Sequence, residues 1–546
     1  MKFKKVLVLM MAAAMAMSTL AACSSGGDET TAAAGENTTT AAAGEDTTAA
    51  AEGGESAASG ETITFPLAET MEFTSFSGLN QDYALGDNLA MQTAMENANI
   101  NITFDSVLSA DLTEKRNLIL ASGEYPDMFF KSGLGMTDLN KYGAQGLFIP
   151  LEDLIKQYAP NFSALMDERD GWQYITSPDG HIYSFPEVGA QHGANTSYWL
   201  NKRWMDNLGL EEPTSFDELY EVLKAFKEQD ANGNGDPNDE IPLTCTVVCV
   251  PELFLQYEDY AYDMGTKTAV IDGQLTYIPT NEVFKDYINF ITKLYQEGIM
   301  DPNGFTQQHE NQGAIGQSGD VLGSFFDAGA FLTVGRDNDD DYILLTPFQE
   351  GTYPRGTGIT PGAMAITDAC ENPEVLVAWA DQFYSEEGGI LALMGVEGET
   401  FQYNDEGDWE WILGNGYGDD VAAVRASATI QGSQNHPSVW PDVWFEKMSA
   451  EVDPDEVYLN GEREKAAALG VVPLPQMNYS EEDNETIATL KTDIDSYISQ
   501  YVAQVATGEM TLDESWDTYI ETMNAMGAQE LEAIYQATYE AAMAAQ

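Results

Sequence analysis

Basic residues are scarce in this chain. Its 546 residues contain 23 lysines and arginines against 90 aspartates and glutamates, which gives a formal net charge of -67 at pH 7. A surface this acidic repels phosphate backbones and anionic lipid head groups. The sequence therefore argues against nucleic acid as a partner, and the acidic excess itself is typical of a soluble surface that repels its neighbours.

Cysteine and histidine are also scarce. Of four cysteines, Cys245 and Cys249 lie in the β-branched stretch LTCTVVCV, which predicts a buried strand where residues four apart are too distant to bridge. A disulfide from Cys370 stays open as a possibility. No two histidines stand at a metal-ligand spacing, and no nucleophile motif is present, which argues against catalysis. The histidines are His181, His192, His309 and His436.

No apolar run is long enough to span a membrane. The run from Val6 to Met17 follows three lysines and falls short of the ~20 residues that a spanning helix needs. This pattern is typical of an export signal. The residues LAAC that end at Cys23 resemble the lipobox of bacterial lipoproteins, so residues 1–22 are predicted to be a signal peptide and Cys23 the lipidated residue. The protein is expected at the extracellular face of the cell membrane, held there by lipid alone.

The segment after the predicted anchor has low sequence complexity. Residues 23–61 repeat threonine, alanine, glycine and acidic residues with almost no large apolar side chain. Such a flexible coil has an r.m.s. reach of roughly 30–35 Å. It is predicted to be a tether, and the folded body is expected to begin near Thr62.

Strand-like and helix-like stretches alternate from Thr62 onward, which is typical of an α/β protein with mostly parallel sheets. TITFPLA, residues 62–68, predicts a first strand. A helix ending near Asn99 then precedes a strand, and DLTEKRNLILASG predicts another helix before the buried strand PDMFF. The result is a β-α-β-α-β series.

Helix boundaries are marked later in the chain. Ser215 begins a capping-box pattern in front of SFDELYEVLKAFKEQ, and Gly298 is expected to end the helix NEVFKDYINFITKLYQEG. Residues 481–546 are predicted to be helical nearly throughout, with breaks near Gly508 and Gly527. The chain therefore predicts a helical C-terminal section.

The stretch DANGNGDPNDE, residues 230–240, places oxygen-bearing side chains at alternate positions around a glycine. Counted from Asp230 as position one, Gly235 stands at position six, where an EF-hand calcium loop makes its sharp turn. Position twelve is Ile241 instead of the bidentate glutamate of a sensor loop, and a strand is predicted to follow. The all-oxygen donor set favours Ca²⁺. The alternative is a solvated turn rich in aspartate and asparagine.

Eight stretches of the chain follow one another in a distinctive order. They are NLILASGEYPDMFF, GLFIPLEDLIKQYAPN, SPDGHIYSFP, WLNKRWMDNLGLEEPTSFDELYEVLKAF, DANGNG running into DEIPL, YQEGIMDP, ENPEVLVAWADQFYSEEGG and MGVEGETFQY. Together they resemble the family 1 extracellular solute-binding lipoproteins of bacterial ABC importers, relatives of maltose-binding protein in a large-bodied subgroup. The resemblance covers nearly all of residues 62–546.

The resemblance implies a fold and a function. The fold is a type II periplasmic-binding-protein-like α/β fold, with two lobes joined by crossing hinge segments near residues 182–198 and 351–362. Lobe 1 would contain residues 62–190 and about 351–405, and lobe 2 residues 191–350 and about 406–546. A carbohydrate, expected to be an oligosaccharide, would close the lobes around itself and pass to the permease subunits of an ABC transporter. The protein is expected to act as a monomer without chemistry of its own.

The resemblance also implies a structural calcium ion in the acidic loop. One extra residue before the acidic pair at the end of the loop departs from the family pattern. The implied ligands are Asp230, Asn232, Asn234, Asp236, Asp239 and Glu240.

Sugar sites combine aromatic faces with polar side chains that fix orientation, and both kinds occur near the implied cleft. For each aromatic residue the alternative is core packing between helix and sheet. The candidate contacts are Lys131, Ser132, Trp199, Asn201, Phe326, Asp327, Tyr353, Arg355, Trp440 and Trp444.

Two other functions remain as alternatives. An extracellular glycan-active enzyme would use paired carboxylates, and Glu397 and Glu399 alternate on a possible strand. A surface adhesin or sensor would bind glycan without transport. Because 90 acidic residues make such pairs by chance, the binding subunit is favoured over the enzyme.

Overall fold

The computed structural model describes residues 63–79, 83–190, 196–247, 250–432 and 434–545, all within the compact unit Gly60–Gln546. The predicted signal peptide, the lipidated Cys23, the tether and Cys249 lie outside the described residues. Across the described part of the chain, no helix is both long and apolar enough to cross a membrane.

A five-stranded sheet forms the centre of the first lobe, in the order β2-β1-β3-β12-β4. Strands β1, β2 and β3 are parallel, whereas β12 runs antiparallel to both of its neighbours. Side chains alternate between the two faces of the sheet, and each face packs in a different core. Phe73 and Phe130 belong to one core, and Phe76 and Phe129 to the other. The strands are β1 Met71–Gly78, β2 Ile100–Val107, β3 Met128–Phe130, β4 Phe185–Val188 and β12 Ile359–Ile366.

Helices cover both faces of this sheet, and a hairpin of β13 Phe401–Tyr403 and β14 Trp409–Trp411 packs against one of them. Asn99 has φ 55° and ends the first helix, as predicted, because asparagine tolerates this left-handed conformation. The helices are α1 Leu89–Ala98, α2 Ser109–Ser122, α3 Met136–Ala144, α4 Glu152–Tyr158, α5 Pro160–Glu168, α11 Pro373–Asp381, α12 Glu386–Met394, α13 Val421–Ala428 and α14 Asp442–Glu446.

Two expectations about strands are wrong. The first strand is MEFTSFSG and not TITFPLA, because the longer alternating stretch pairs with β2 along its whole length. In the predicted strand IPLTCTVVCV, residues 241–247 form an irregular segment with isolated bridges at Ile241, Leu243 and Thr244. Antiparallel pairs also outnumber parallel ones, so the sheets are mixed and not mostly parallel.

The second lobe is organised around a three-stranded antiparallel sheet in the order β10-β5-β9, with a second small sheet of order β6-β7-β8. All five residues of the strand SYWLN are buried, so this strand lies inside the lobe and not at its surface. The strands are β5 Ser197–Asn201, β6 Tyr262–Asp263, β7 Thr268–Ile271, β8 Gln274–Tyr277, β9 Ser324–Asp327 and β10 Tyr342–Leu344.

Two helices of the second lobe have the boundaries that the sequence predicts, at Ser215 and at Gly298. Ser215 Oγ accepts from the Glu218 backbone N–H at 3.3 Å, but the Glu218 carboxylate accepts from Thr214 N–H at 2.9 Å, one residue earlier than a capping box requires. Gly298 follows the end of α8 with φ 67°. The helices are α6 Lys202–Leu208, α7 Phe216–Glu228, α8 Val283–Gln296, α9 His309–Gly316, α10 Ala330–Val334, α15 Pro454–Ala468, α16 Glu481–Ala506, α17 Leu512–Ala525 and α18 Ala528–Ala545.

The predicted helical C-terminal section is confirmed. Helices α16, α17 and α18 are separated near Gly508 and Gly527, both with positive φ. Their aromatic rings pack inward, with Tyr501 and Tyr519 stacked at 4.1 Å between ring centroids. These helices complete the core of the second lobe.

The chain passes between the two cores three times. The first passage links β4 to β5, and the second links β11 Tyr353–Pro354, which pairs with β15 Gly470–Val471, to β12. Both fall within the predicted ranges. The third joins α14 to α15 and was not predicted. There Asp453 lies 3.3 Å from Arg425 in the first lobe and 3.8 Å from Arg336 in the second.

The third passage lies well beyond residue 405, where a lobe boundary was predicted. Trp409, Trp411 and Trp444 are buried in the core of the first sheet, whereas Leu459 belongs to the core of the second lobe. Residues 406–448 therefore pack with the first lobe and not the second. The sequence pattern missed this because helix-forming stretches look alike in either lobe.

Candidate functional site

A cavity of about 380 Å³ lies where the first two passages meet, and we call it the crossing cavity. Its walls combine the end of β4, the second passage, the segment after α13, and Arg463 of α15. Residues of both lobes therefore line one space. They are Glu187, Gly189, Ala190, Gly356, Thr357, Gly358, Thr360, Trp440, Phe445 and Arg463.

Trp440 presents an aromatic face to the crossing cavity. The Trp440 backbone N–H donates to Val188 O at 2.8 Å, so the segment before α14 is held against the end of β4. Its indole Nε1–H donates to Glu187 Oε1 at 3.0 Å, and its ring stacks on Phe445 at 5.9 Å and 20°. The half-buried rings form a platform that a sugar ring would stack on.

Behind Glu187 lies a buried polar group that we call the cleft wall, formed by Glu187, Lys131 and His436. The His436 backbone N–H donates to Glu187 Oε2 at 3.0 Å, and the imidazole Nδ1 lies 2.8 Å from Ser438 Oγ. Burial lowers the pKa of His436 to about 4 and that of Lys131 to about 7. The Lys131 ammonium donates to Ile430 O. The wall is closed by its own hydrogen bonds.

Two further cavities form a row with the crossing cavity. One of about 470 Å³ runs along the second passage beside Gln256 and Asp263, and it shares Gly356 and Thr357 with the crossing cavity. We call it the middle cavity. The other, of about 490 Å³, lies between α3 of the first lobe and the start of α16 of the second, and it shares Tyr479 with the middle cavity. We call it the helix cavity.

Two residues that line the helix cavity have enclosed polar atoms without a hydrogen bond in the part of the chain that the structure describes. Asn140 Oδ1 and Tyr479 Oη are enclosed and have no hydrogen-bond partner among the described residues. At the rim, Lys141 Nζ lies 3.0 Å from Glu481 Oε1 and joins the two lobes. Because unmet buried polar atoms cost about 1–3 kcal/mol each, the arrangement favours a polar solute that supplies the missing hydrogen bonds.

Several predicted contact residues lie inside the cores. Trp199 donates its indole N–H to Asp327 O at 3.0 Å, and Asn201 caps α6 by accepting from Trp204 N–H at 2.9 Å. These side chains present no face to the cavities because the strands and helices that carry them are covered on both sides. The fully enclosed ones are Ser132, Trp199, Asn201, Phe326, Tyr353 and Trp444.

The remaining predicted contacts are divided. Asp327 is buried, and its carboxylate accepts from His309 Nε2 at 2.8 Å and Thr333 Oγ1 at 2.6 Å. Lys131 is buried in the cleft wall. Arg355 lines the middle cavity and Trp440 the crossing cavity, so the structure places these two predicted residues at adjoining surfaces.

Four residues of the site carry no local sequence pattern that predicts them. Glu187 and Arg463 line the crossing cavity, and Asn140 and Tyr479 line the helix cavity. Glu187 is the one partly exposed residue of the strand FPEV, next to its end at Val188 and within the predicted first passage, so its position was a usable signal. Arg463 lies on α15, which follows the third passage, and that passage was not predicted.

The acidic loop adopts a tight turn after α7. Gly235 has φ 94°, and its N–H donates to Asp230 Oδ2 at 3.0 Å. The Asn232 and Asn234 amides donate to the two Asp239 oxygens at 3.1 and 2.7 Å. At its end Glu240 Oε1 accepts from Ala231 N–H at 3.0 Å.

The acidic loop passes a test for an oxygen-ligated cation. Asp230 Oδ1 and Glu240 Oε2 are enclosed and have no hydrogen-bond partner among the described residues. Burial, with Asp239 nearby, raises the pKa of Glu240. Within the described residues, the acidic loop included, no three His, Cys, Asp or Glu side chains converge as a metal site. In the loop, two of the six predicted ligands are asparagine. The donor chemistry suits Ca²⁺.

The carboxylates of the enzyme alternative are not paired. Glu397 makes an isolated bridge with Phe401 and Glu399 lies in the turn that follows it, so neither residue is on a strand and the predicted alternation is wrong. Glu399 Oε2 accepts from Tyr417 OH at 2.9 Å. Neither residue lines the crossing, middle or helix cavity.

Two α/β lobes, three passages and solute-sized cavities between them define a two-lobed solute-binding protein. The chain belongs to the bacterial extracellular solute-binding protein family, whose model matches residues 80–390. The predicted family is confirmed, and so is the prediction of a binding protein and not an enzyme.

Known relatives share most of their length with this chain. It is 29% identical over 506 residues to the fructooligosaccharide ABC transporter substrate-binding protein FusA of Streptococcus pneumoniae, covering 88% of this chain and 92% of FusA. A solved FusA EF-hand mutant in complex with fructo-nystose has 26% identity, a TM-score of 0.67, and covers 88% of this chain and 100% of that one.

The fold is shared more widely. An HMO-binding, ABC-transporter-associated solute-binding protein from Bifidobacterium longum infantis matches with a TM-score of 0.73 at 21% identity, covering 87% of this chain and 99% of that one. This likeness confirms the predicted two-lobed α/β fold.

Proposed function

We propose that this protein is the substrate-binding subunit of an ABC importer and captures an oligosaccharide between its two lobes. The single observation that carries the proposal is the row of three adjoining cavities, each within the ~300–1,000 Å³ typical of ligand sites. The similarity to FusA supports a sugar as the solute and permease subunits as the partner.

The cavities supply the two kinds of contact that sugars use. The stacked rings of Trp440 and Phe445 would pack on the apolar C–H face of a sugar ring. Glu187, Asn140 and Tyr479 would exchange hydrogen bonds with its hydroxyls. The solute remains chemically unchanged, because the role of these side chains is to hold it.

Delivery depends on lobe closure. A solute that contacts Trp440 in the first lobe and Arg463 in the second stabilises the closed arrangement over an open one, and the permease would recognise the closed form. We assign residues 63–188 and 359–448 to the first lobe and 197–354 and 454–545 to the second, following the two cores. The protein acts as a monomer in this scheme.

The acidic loop would hold a structural calcium ion. Asp230, Glu240 and the four other predicted oxygen ligands would surround it, and the ion would join the end of α7 to the segment that follows. The enclosed oxygens of Asp230 and Glu240 support this proposal, as does the EF-hand named for the similar FusA structure.

Anchoring would confine the protein to the extracellular face of the membrane. Lipidation at Cys23 and the tether through residue 61 would keep the binding lobes near the permease. Release of the protein by a Cys23→Ala substitution, measured as its transfer from the membrane fraction to the medium, tests the anchor.

Isothermal titration calorimetry with full-length protein and kestose tests the sugar proposal. We expect saturable binding, and at least tenfold weaker binding by Trp440→Ala. The matched control is Trp172→Ala, because Trp172 is a half-buried ring that packs on Phe162 away from all three cavities. Binding that is equally weakened by both substitutions would contradict the assignment of Trp440. Absence of binding across a panel of neutral and acidic oligosaccharides would contradict the function.

A further inference from the structure

We propose that the solute is a neutral oligosaccharide and that the cleft rejects sugar acids such as oligogalacturonates. The inference rests on the proposed function and concerns the charge lining the same three cavities. Carboxylates outnumber cations there, and each cation in the described lining already has a partner.

Acidic side chains occur in all three cavities. Glu187 lines the crossing cavity, Asp263 the middle cavity, and three further carboxylates the helix cavity. The last three are Asp179, Glu481 and Glu485. A sugar carboxylate entering this row would meet like charge along its whole length.

The basic side chains of the lining are fewer and engaged. They are Arg463, Arg355 and Lys141, one in each cavity. Lys141 forms its ion pair with Glu481, and Arg463 donates to Ala328 O at 2.8 Å. Arg355 also has an interaction partner within the described residues. Binding a uronate would require one of them to exchange its partner.

Lys131 does not change this balance. Only 1% of the residue is exposed, and its ammonium group donates to Ile430 O inside the cleft wall. Burial lowers its pKa to about 7, so its positive charge is partly lost at neutral pH. A uronate cannot reach it without opening the wall.

A separate cavity of about 300 Å³ near the third passage contains two arginines, but these are also engaged. Arg336 pairs with Asp455, and Arg425 lies 3.3 Å from Asp453 and 3.6 Å from Glu456. This cavity therefore offers no free cation to an acidic sugar.

Carboxylates and neutral sugars are complementary. Each sugar hydroxyl can donate to a carboxylate oxygen, and hydrogen bonds to charged acceptors are roughly twice as strong as neutral ones. A uronate carboxylate has no proton to donate at pH 7 and would lose its water without gaining a cation. The lining thus binds hydroxyl donors and disfavours anions.

The test compares two trisaccharides on full-length protein at pH 7 by isothermal titration calorimetry. The probes are kestose, which is neutral, and trigalacturonate, which carries three charges. We expect the neutral sugar to bind at least 100-fold more tightly at low salt. Equal or tighter binding of trigalacturonate overturns the inference but leaves oligosaccharide binding intact, whereas failure of both sugars overturns the proposed function as well.

Substituting one carboxylate of the cavity lining distinguishes the effect of the lining from repulsion by the net negative charge of the whole protein. Glu481→Gln releases Lys141, so the ratio of uronate to neutral affinity should rise at least threefold. The matched control is Asp206→Asn, which removes the same charge from an exposed pair with Lys202 far from the cavities. An equal rise in both variants would mean that net charge, and not the lining, sets the preference, which contradicts the inference.

Discussion

Two regions of this molecule, the cleft wall and the acidic loop, differ in whether their carboxylate oxygens have hydrogen-bond donors. In the cleft wall, Glu187 accepts from the Trp440 indole and from the His436 N–H. In the acidic loop, Asp230 and Glu240 each keep one enclosed oxygen without a partner. Each Glu187 oxygen thus has a donor within the protein, whereas the loop keeps two enclosed oxygens that a cation would bind.

The difference shows what identifies a site in a chain with 90 acidic residues. Sequence position shows that carboxylates are present, but it does not show which of their lone pairs are satisfied. A satisfied carboxylate positions its neighbours, as Glu187 positions Trp440. An unsatisfied and enclosed one indicates a missing cation or donor.

The largest effect is expected from the buried histidine of the cleft wall. Burial lowers the pKa of His436 from 6.5 to about 4, so the unfolded chain binds its proton at higher pH than the fold does. Stability should therefore fall as pH decreases from 6.5 to 4, by about 3 kcal/mol from this group. His436→Asn should remove that part of the decrease in urea unfolding measured across this range.

His181 provides a contrast within the same lobe. It is exposed, and its hydrogen bond with Glu152 raises its pKa above 6.5. The stabilisation from this pair is therefore present at low pH and lost as pH rises through the raised pKa. His181→Gln should change the pH profile in the opposite direction, and identical profiles for the two variants would contradict the assigned environments.

Calcium should stabilise the acidic loop strongly. At a free concentration 100 times its dissociation constant, an ion that binds only the folded state adds about 2.7 kcal/mol. Thermal unfolding with calcium and with a chelator should show this shift, and Asp230→Ala and Glu240→Ala should lose it. Glu221→Gln, an exposed change on α7, should keep the full shift. If the unsubstituted protein shows no calcium-dependent shift, the proposal of a structural calcium ion in the acidic loop is contradicted.

Removing the charge of Glu187 should act on solute binding more than on stability. Glu187→Gln weakens the hydrogen bond that orients Trp440, and a charged acceptor is worth about 1.5 kcal/mol here, or roughly tenfold in affinity. Calorimetry with kestose measures the loss, and tryptophan emission reports the movement of the ring. Unchanged affinity with altered emission would mean that Trp440 does not contact the sugar.

The smallest effect is expected at the rim of the helix cavity. Lys141 and Glu481 are both largely exposed, with 41% and 63% of their side chains accessible, so their pair contributes at most about 1 kcal/mol. Lys141→Gln should change thermal stability by a few degrees at low salt and by less at high salt. A salt-independent loss would place the pair in a less exposed environment than the structure shows.

Local patterns predicted much of the fold. Asn99 and Gly298 end their helices as expected, since left-handed termini need asparagine or glycine. The breaks at Gly508 and Gly527 are present for the same reason. The choice of strand was wrong because composition does not show which stretch pairs with a neighbour. TITFPLA has the composition of a strand, but the adjacent MEFTSFSG is the stretch that pairs with β2.

The site was harder to predict because it depends on side chains brought from distant parts of the chain. Of the ten predicted contacts, Trp440 and Arg355 line the adjoining cavities, while rings such as Trp199 and Phe326 serve the core. Aromatic composition does not distinguish a platform from a core ring. Tyr479 and Arg463 depend on how α15 and α16 return to the first lobe, which no local pattern records.

The third passage has a consequence for how the chain is made. Trp409 and Trp444 are buried among the side chains of the first sheet, although they are separated from β1 by more than 300 residues of sequence. A chain emerging from the ribosome cannot finish either half until nearly all of it has been synthesised. A truncation at residue 405 would leave two incomplete cores instead of one intact half, so the two lobes must fold from one nearly complete polypeptide.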